Sequence, residues 1–119
     1  MALFNVFPLP QRSGFRESFA FAGESVDRGY SIAVFPEGGR TQDGLVHDFR
    51  SGIGLLVNRL DIPVLPMKIE GLYEVKKEGW RVMAPPSRIT VKIGKPEKFQ
   101  ADMDPELIAK SLQEIVEKL

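Results

Sequence analysis

The run Ser31-Ile32-Ala33-Val34-Phe35 is apolar after its first residue and is stopped at once by Pro36, with helically patterned segments on both sides. A short apolar run closed by a residue that lacks an amide hydrogen is predicted to be a buried strand. A buried strand between amphipathic helices is the unit of an α/β sheet, and the rest of the chain must fit that class. Upstream, Phe15, Phe19, Ala22 and Val26 make one apolar stripe at the helical period, predicting a helix over residues 13–28. Ser13 is placed to cap it and Gly29 to end it. Downstream, a polar, glycine-rich loop over 37–48 leads to a second helix over 49–60, in which Gly52 and Gly54 are unfavourable helix residues.

The same pattern continues to the end of the chain. Residues 63–69 predict a strand with an end or bulge at Pro66, and 89–93 predict another, closed by Gly94 and Pro96. Residues 73–84 are weakly patterned, with a turn expected at Lys76-Lys77-Glu78-Gly79. The final helix is expected to be capped by Asp104 and led by Pro105. Its buried face would be Leu107, Ile108, Leu112, Ile115, Val116 and Leu119. Ala2 to Phe7 reads as a first strand, because Pro8 and Pro10 would break a helix there. So apolar an opening strand leads us to expect that the natural protein continues upstream, or that this strand supports self-association. The order β-α-β-α-β-(β)-β-α predicts a single domain over residues 1–119. Its fold would be α/β, with a mostly parallel sheet flanked by helices.

Composition narrows the chemistry. Sixteen Lys plus Arg balance sixteen Asp plus Glu, which speaks against a strongly basic nucleic-acid binder. With no cysteine and a single histidine, His47, disulfides, thiolate metal sites, Cys nucleophiles and most zinc arrangements are excluded. The apolar opening ends by Pro10, against the roughly 20 residues a spanning helix needs, and it lacks the features of a signal peptide.

The segment with the most chemical content is Phe35-Pro36-Glu37-Gly38-Gly39-Arg40-Thr41, at the carboxyl end of the predicted strand, where open α/β sheets place ligands. Gly38 and Gly39 allow a sharp turn and close backbone approach, and Arg40 offers a planar fork suited to phosphate or carboxylate. Glu37 could orient that arginine or accept a hydrogen bond from a substrate hydroxyl. The plainer alternative is a tight surface turn with a structural Glu–Arg pair.

Residues Phe35 to Arg40 resemble the Phe-Pro-Glu-Gly-Thr/Ser-Arg block of the glycerolipid acyltransferases, the lysophosphatidic acid and glycerol-3-phosphate acyltransferase group. Gln11-Arg12-Ser13-Gly14 is similar to the end of that family's second block. Ile62-Pro63-Val64-Leu65-Pro66-Met67 is similar to its fourth, a Pro-x-x-Pro strand. Phe49-Arg50-Ser51-Gly52 matches the Phe-basic-x-Gly run after the third block, and Val91-Lys92-Ile93-Gly94-Lys95-Pro96 the closing strand. The resemblance covers residues 3 to 99 in the family's order. It implies an incomplete glycerolipid-acyltransferase fold and, in the intact protein, acyl transfer from acyl-CoA or acyl-carrier protein to a glycerol-phosphate or lysophospholipid acceptor. It further implies that Arg12 and Arg40 bind the acceptor phosphate, with Glu37, Gly38 and Gly39 completing the pocket. No metal or bound cofactor is implied, because the thioester donor is already activated. The intact protein would be cytoplasmic and peripherally membrane-associated.

Three departures matter. The family's Asn-His-x-x-x-x-Asp block, source of its catalytic dyad, does not occur here; His47 is followed at the fifth position by Gly52. No catalytic residue is therefore assigned, and the chain alone is expected to be inactive. Position 39 is Gly where the family has Thr or Ser, and the second block's leading Gly stands as Val6, so only Arg12 carries over from that block. Two other readings remain open: a non-catalytic phosphate- or anion-binding α/β module, and a structural unit pairing through its first strand. For most of the remaining polar residues the structural reading is preferred. Arg50 would meet solvent at a helix start, while Lys68 could equally reach past its strand edge or touch a ligand. His47 beside Asp48 would be a surface or capping residue, and Asp102, Asp104 and Glu106 would serve the final helix. Tyr73, Trp80 and Phe99 are expected to be packing residues.

Overall fold

The computed structural model of the 119-residue chain describes residues 15–77 and 89–119. The expected first strand, Arg12, Trp80 and the end of the turn over 76–79 lie outside the described residues. Six elements occur in the order α1 (Phe15–Asp27), α2 (Ser51–Leu60), β1 (Met67–Glu70), α3 (Leu72–Lys77), β2 (Thr90–Ile93) and α4 (Pro105–Glu117).

Helices α2 and α4 make the core. Ile53 and Val57 of α2 pack against Ile108, Ala109 and Leu112 of α4, and Val34, Phe49, Val64, Phe99 and Met103 close around them. Gly54 lets the two backbones meet. A Cβ built on it would overlap the Pro105 carbonyl oxygen and stand 2.5 Å from the Pro105 carbonyl carbon. The glycine that looked unfavourable for α2 is thus the residue that admits α4. Helix α4 starts as expected, with the Asp104 carboxylate accepting the Glu106 N–H at 2.9 Å and Pro105 leading the first turn. Ile108, Leu112 and Val116 are buried as read, joined by Ala109, whereas Leu107 is 53% exposed. Helix α1 packs on α2, with Ser18 and Ala22 buried, and the Phe15 and Phe19 rings lie tilted with centroids 5.5 Å apart along its predicted stripe. Gly29 follows it at φ 89°, its N–H donating to Val26.

The described residues do not support the expected mostly parallel sheet. Among the described residues the sheet is a two-stranded antiparallel ribbon, Met67 opposite Ile93 and Glu70 opposite Thr90. Gly71, at φ 97°, turns the chain off β1 into the six-residue α3, and β2 pairs with β1 in the opposite direction. Strand β1 starts at Met67 because Pro66 has no amide hydrogen to give a ladder. Val64 instead makes a separate antiparallel bridge to Glu97, with both N–H···O distances 2.8 Å.

Residues 31–35 are a second correction. They carry no helix or strand assignment among the described residues, with Ile32 and Val34 half-buried and Val34 on the core. Phe35, expected to be buried, is 77% exposed. Apolar character selects an extended chain, but a strand exists only where a neighbour supplies its hydrogen bonds. Helix α3 covers part of the segment read as weakly patterned, including the first residues of the expected turn. No helix among the described residues is long and apolar enough to cross a membrane.

Candidate functional site

The chain leaves residue 35 through a hydrogen-bonded turn in which the Gly38 N–H donates to the Phe35 carbonyl at 3.2 Å. Pro36 supplies the fixed φ suited to the turn's second position, and Gly38 follows at φ 72°, a left-handed conformation costly for any residue with a Cβ. Arg50, last residue before α2, closes onto this turn. Its backbone N–H donates to the Pro36 carbonyl at 2.9 Å and its Nε–H to the Glu37 carbonyl at 3.3 Å. The arginine stem lies flat on Gly38, where a Cβ would stand 2.8 Å from Arg50 Cδ. Arg50 is exposed at the start of α2, as read, and it also holds the turn, a contact the sequence reading does not include. The available signal was the Phe49-Arg50-Ser51-Gly52 run, which placed a basic residue at a fixed distance beyond the turn.

Glu37 has a contact that the sequence reading does not include. Its Oε2 accepts the His47 backbone N–H at 3.0 Å, tying the beginning of the loop to its end. The Glu37–Arg40 pair of the plainer reading is not among the ion pairs of the described residues. Gly39 has open space where a side chain would project, so the Thr or Ser of related sequences would fit. Arg40 is exposed, and its carbonyl accepts Gln42 Nε2 at 3.5 Å. The structure therefore brings Glu37, Gly38, Gly39 and Arg40 together on one turn; Arg12 lies outside the described residues.

The distal loop is built on side-chain hydrogen bonds. Thr41 Oγ1 accepts the Gly44 N–H at 2.8 Å, and its own proton can go to Asp43 Oδ1 or the Leu45 carbonyl, each at 3.2 Å. Asp43 Oδ1 accepts the Leu45 N–H at 2.9 Å and meets His47 Nε2 at 2.8 Å. The Tyr73 ring covers Gly44, the packing role read for it. At the far end, Gln113 of α4 accepts the Phe49 N–H at 3.0 Å and donates to Asp48 and Glu117. The loop is thus anchored on the α2–α4 core. Lys68 is also structural, donating to the Glu117 carbonyl at the end of α4 at 3.3 Å.

The Asp43–His47 pair was missed because Asp48 is the sequence neighbour of His47; the spacing of four residues was the signal. The hydrogen bond to Asp43, followed by its charge, raises the His47 pKa above its ordinary 6.5. The Leu45 N–H, followed by the His47 hydrogen bond, holds Asp43 below its ordinary 3.8. A raised histidine contributes fully below 6.5 and fades as pH rises through its folded value. A lowered aspartate contributes above 3.8 and fades as pH falls through its folded value. The pair is therefore strongest between pH 3.8 and 6.5. Proton NMR of the His47 ring is expected to give a midpoint above 6.5, moved down by Asp43→Asn; an unchanged midpoint in that variant would rule out the pair.

Chemically, the turn offers a guanidinium fork on a hydrogen-bonded, glycine-lined backbone, suited to a planar or tetrahedral oxyanion. The family model described as Acyltransferase matches residues 2–70. Among solved structures, the chain is similar to the 1-acyl-sn-glycerophosphate (LPA) acyltransferase PlsC from Thermotoga maritima. The two are 25% identical and superpose with a TM-score of 0.66, over 87% of this chain and 43% of that one. The chain thus spans less than half of that structure's length. No curated protein matches.

Proposed function

The chain belongs to the acyltransferase family, and from that premise we propose that it forms the acceptor-binding part of a glycerolipid acyltransferase. In the intact protein an acyl group would pass from the sulfur of acyl-CoA or acyl-carrier protein to a hydroxyl of a glycerol-phosphate or lysophospholipid acceptor. The hydroxyl oxygen would bond to the thioester carbonyl carbon, the carbon–sulfur bond would break, and the hydroxyl proton would pass to a base. On this reading Arg40 grips the acceptor phosphate, with Glu37, Gly38 and Gly39 shaping the turn and Arg12 as the second cation. Two guanidinium groups suit a phosphate dianion, each charge-assisted hydrogen bond being worth roughly 1.5–3 kcal/mol. Such a protein would work on the cytoplasmic surface of a membrane, where its lipid acceptor lies.

The observation that carries the proposal is the Phe35–Arg40 turn. It resembles the family's sequence block apart from Gly39, it is hydrogen-bonded to Arg50 and His47, and it keeps the Arg40 side chain exposed. A base for the hydroxyl is not assigned, since no His-x-x-x-x-Asp sequence is present. The 119-residue chain is expected to bind sn-glycerol 3-phosphate and to transfer no acyl group. Isothermal titration and a thioester-release assay measure the two. Arg40→Ala is expected to weaken binding by about tenfold or more. Unchanged binding in that variant would remove Arg40 from the site, and clear turnover by the chain would overturn the division of labour.

A further inference from the structure

Arg50 lies outside the set of residues assigned to the acceptor phosphate, yet it makes the contacts that define the turn. Both central carbonyls of the turn, those of Pro36 and Glu37, point at Arg50, one onto its backbone N–H and the other onto Nε–H. In a planar trans peptide the N–H lies opposite the C=O. Drawing the Pro36 oxygen toward Arg50 therefore directs the Glu37 N–H to the other side of the turn. The same contacts take two carbonyl oxygens, which repel anions, out of that side. Gly38 completes the fit, because any Cβ there would displace the arginine stem.

We propose that Arg50 is a positioning residue for anion recognition. It sets the peptide orientations of the Pro36-Glu37-Gly38 turn so that the Glu37 N–H and the Arg40 fork serve one oxyanion of the phosphate-monoester class. The proposal rests on the assignment of Arg40 above. Arg50 acts through the turn, and its anchor is the α2–α4 core, through the neighbouring Phe49 N–H on Gln113. Lysine keeps the charge but not the planar Nε donor, so Arg50→Lys separates position from charge.

The test uses the ¹⁵N-labelled 119-residue chain as wild type, Arg50→Lys, Arg50→Ala and Arg40→Ala, free and titrated with sn-glycerol 3-phosphate and with inorganic phosphate. In the free protein, both Arg50 variants are expected to move the Glu37 and Gly38 amide resonances while leaving Ile108 and Leu112 in place. Arg50→Ala is expected to weaken binding of both anions by about tenfold, with partial recovery on adding methylguanidinium. Unmoved Glu37 and Gly38 amides in the Arg50 variants would overturn the proposal, as would unchanged binding in Arg50→Ala when Arg40→Ala loses it. Failure of both anions to shift any wild-type resonance would overturn the functional reading and the ligand half of this proposal. The free-state shifts would then still decide whether Arg50 sets the turn.

Discussion

Gly54→Ala is expected to destabilise the protein by about 2–4 kcal/mol, at the upper end of what overpacking one methyl group costs. In a free helix the substitution would help by up to about 1 kcal/mol. Here the new Cβ would overlap the carbonyl oxygen of Pro105 and lie 2.5 Å from its carbon. Both are backbone atoms in the first turn of α4, held by the Asp104 cap, so no side-chain rotation relieves the clash. The helices must separate, and every contact between Ile53, Val57, Ile108 and Leu112 loosens with them. Urea denaturation measures the loss. A change within about 0.5 kcal/mol, typical of surface substitutions, would mean that α2 and α4 do not approach as described. The consequence reaches the site. Gln113 of α4 holds the Phe49 N–H at 3.0 Å, so a shifted α4 releases the base of the loop on which Arg40 stands.

Ile108→Ala tests the same interface from the opposite direction, by removing volume. Ile108 is fully buried, at 0% exposure, at the centre of the α2–α4 cluster. Losing its outer methyl and methylene groups forfeits their burial and leaves a cavity, a cost of about 3–4 kcal/mol. Leu107→Ala, one residue earlier and 53% exposed, is expected to cost no more than about 0.5 kcal/mol. Equal losses at the two positions would show that α4 is rotated from the face described here. The pair is decisive because the apolar pattern of the sequence admits both residues to the buried face.

That ambiguity is typical of what could be read from residues alone. The cap of α4, the Gly29 end of α1 and the stripe of α1 were legible because they depend on neighbours within about one helical turn: Asp104 with Glu106, Gly29 with Val26, Phe15 with Phe19. The Pro36-Glu37-Gly38 turn was legible for the same reason. Arg50 was not, because its partner carbonyls are reached only when the loop folds back. Nor was the inversion of the small sheet. Met67, Ile69, Val91 and Ile93 share its exposed face, while Lys68 leans on the end of α4. Alternation tells which residues share a face of a strand and is silent on which face meets the core.

The sequence by itself determined the family, the boundaries of α1, α2 and α4 to within a few residues and the turn that carries Arg40. Each of these is written in contiguous residues, through capping, periodicity and the φ preferences of proline and glycine. Tertiary structure alone decided the antiparallel direction of β1 and β2, the necessity of Gly54 and the closure of Arg50 and His47 on the turn. These depend on where distant segments arrive in space. Local preferences do not encode that, because it is fixed by burial of the α2–α4 core and by backbone groups finding partners across it.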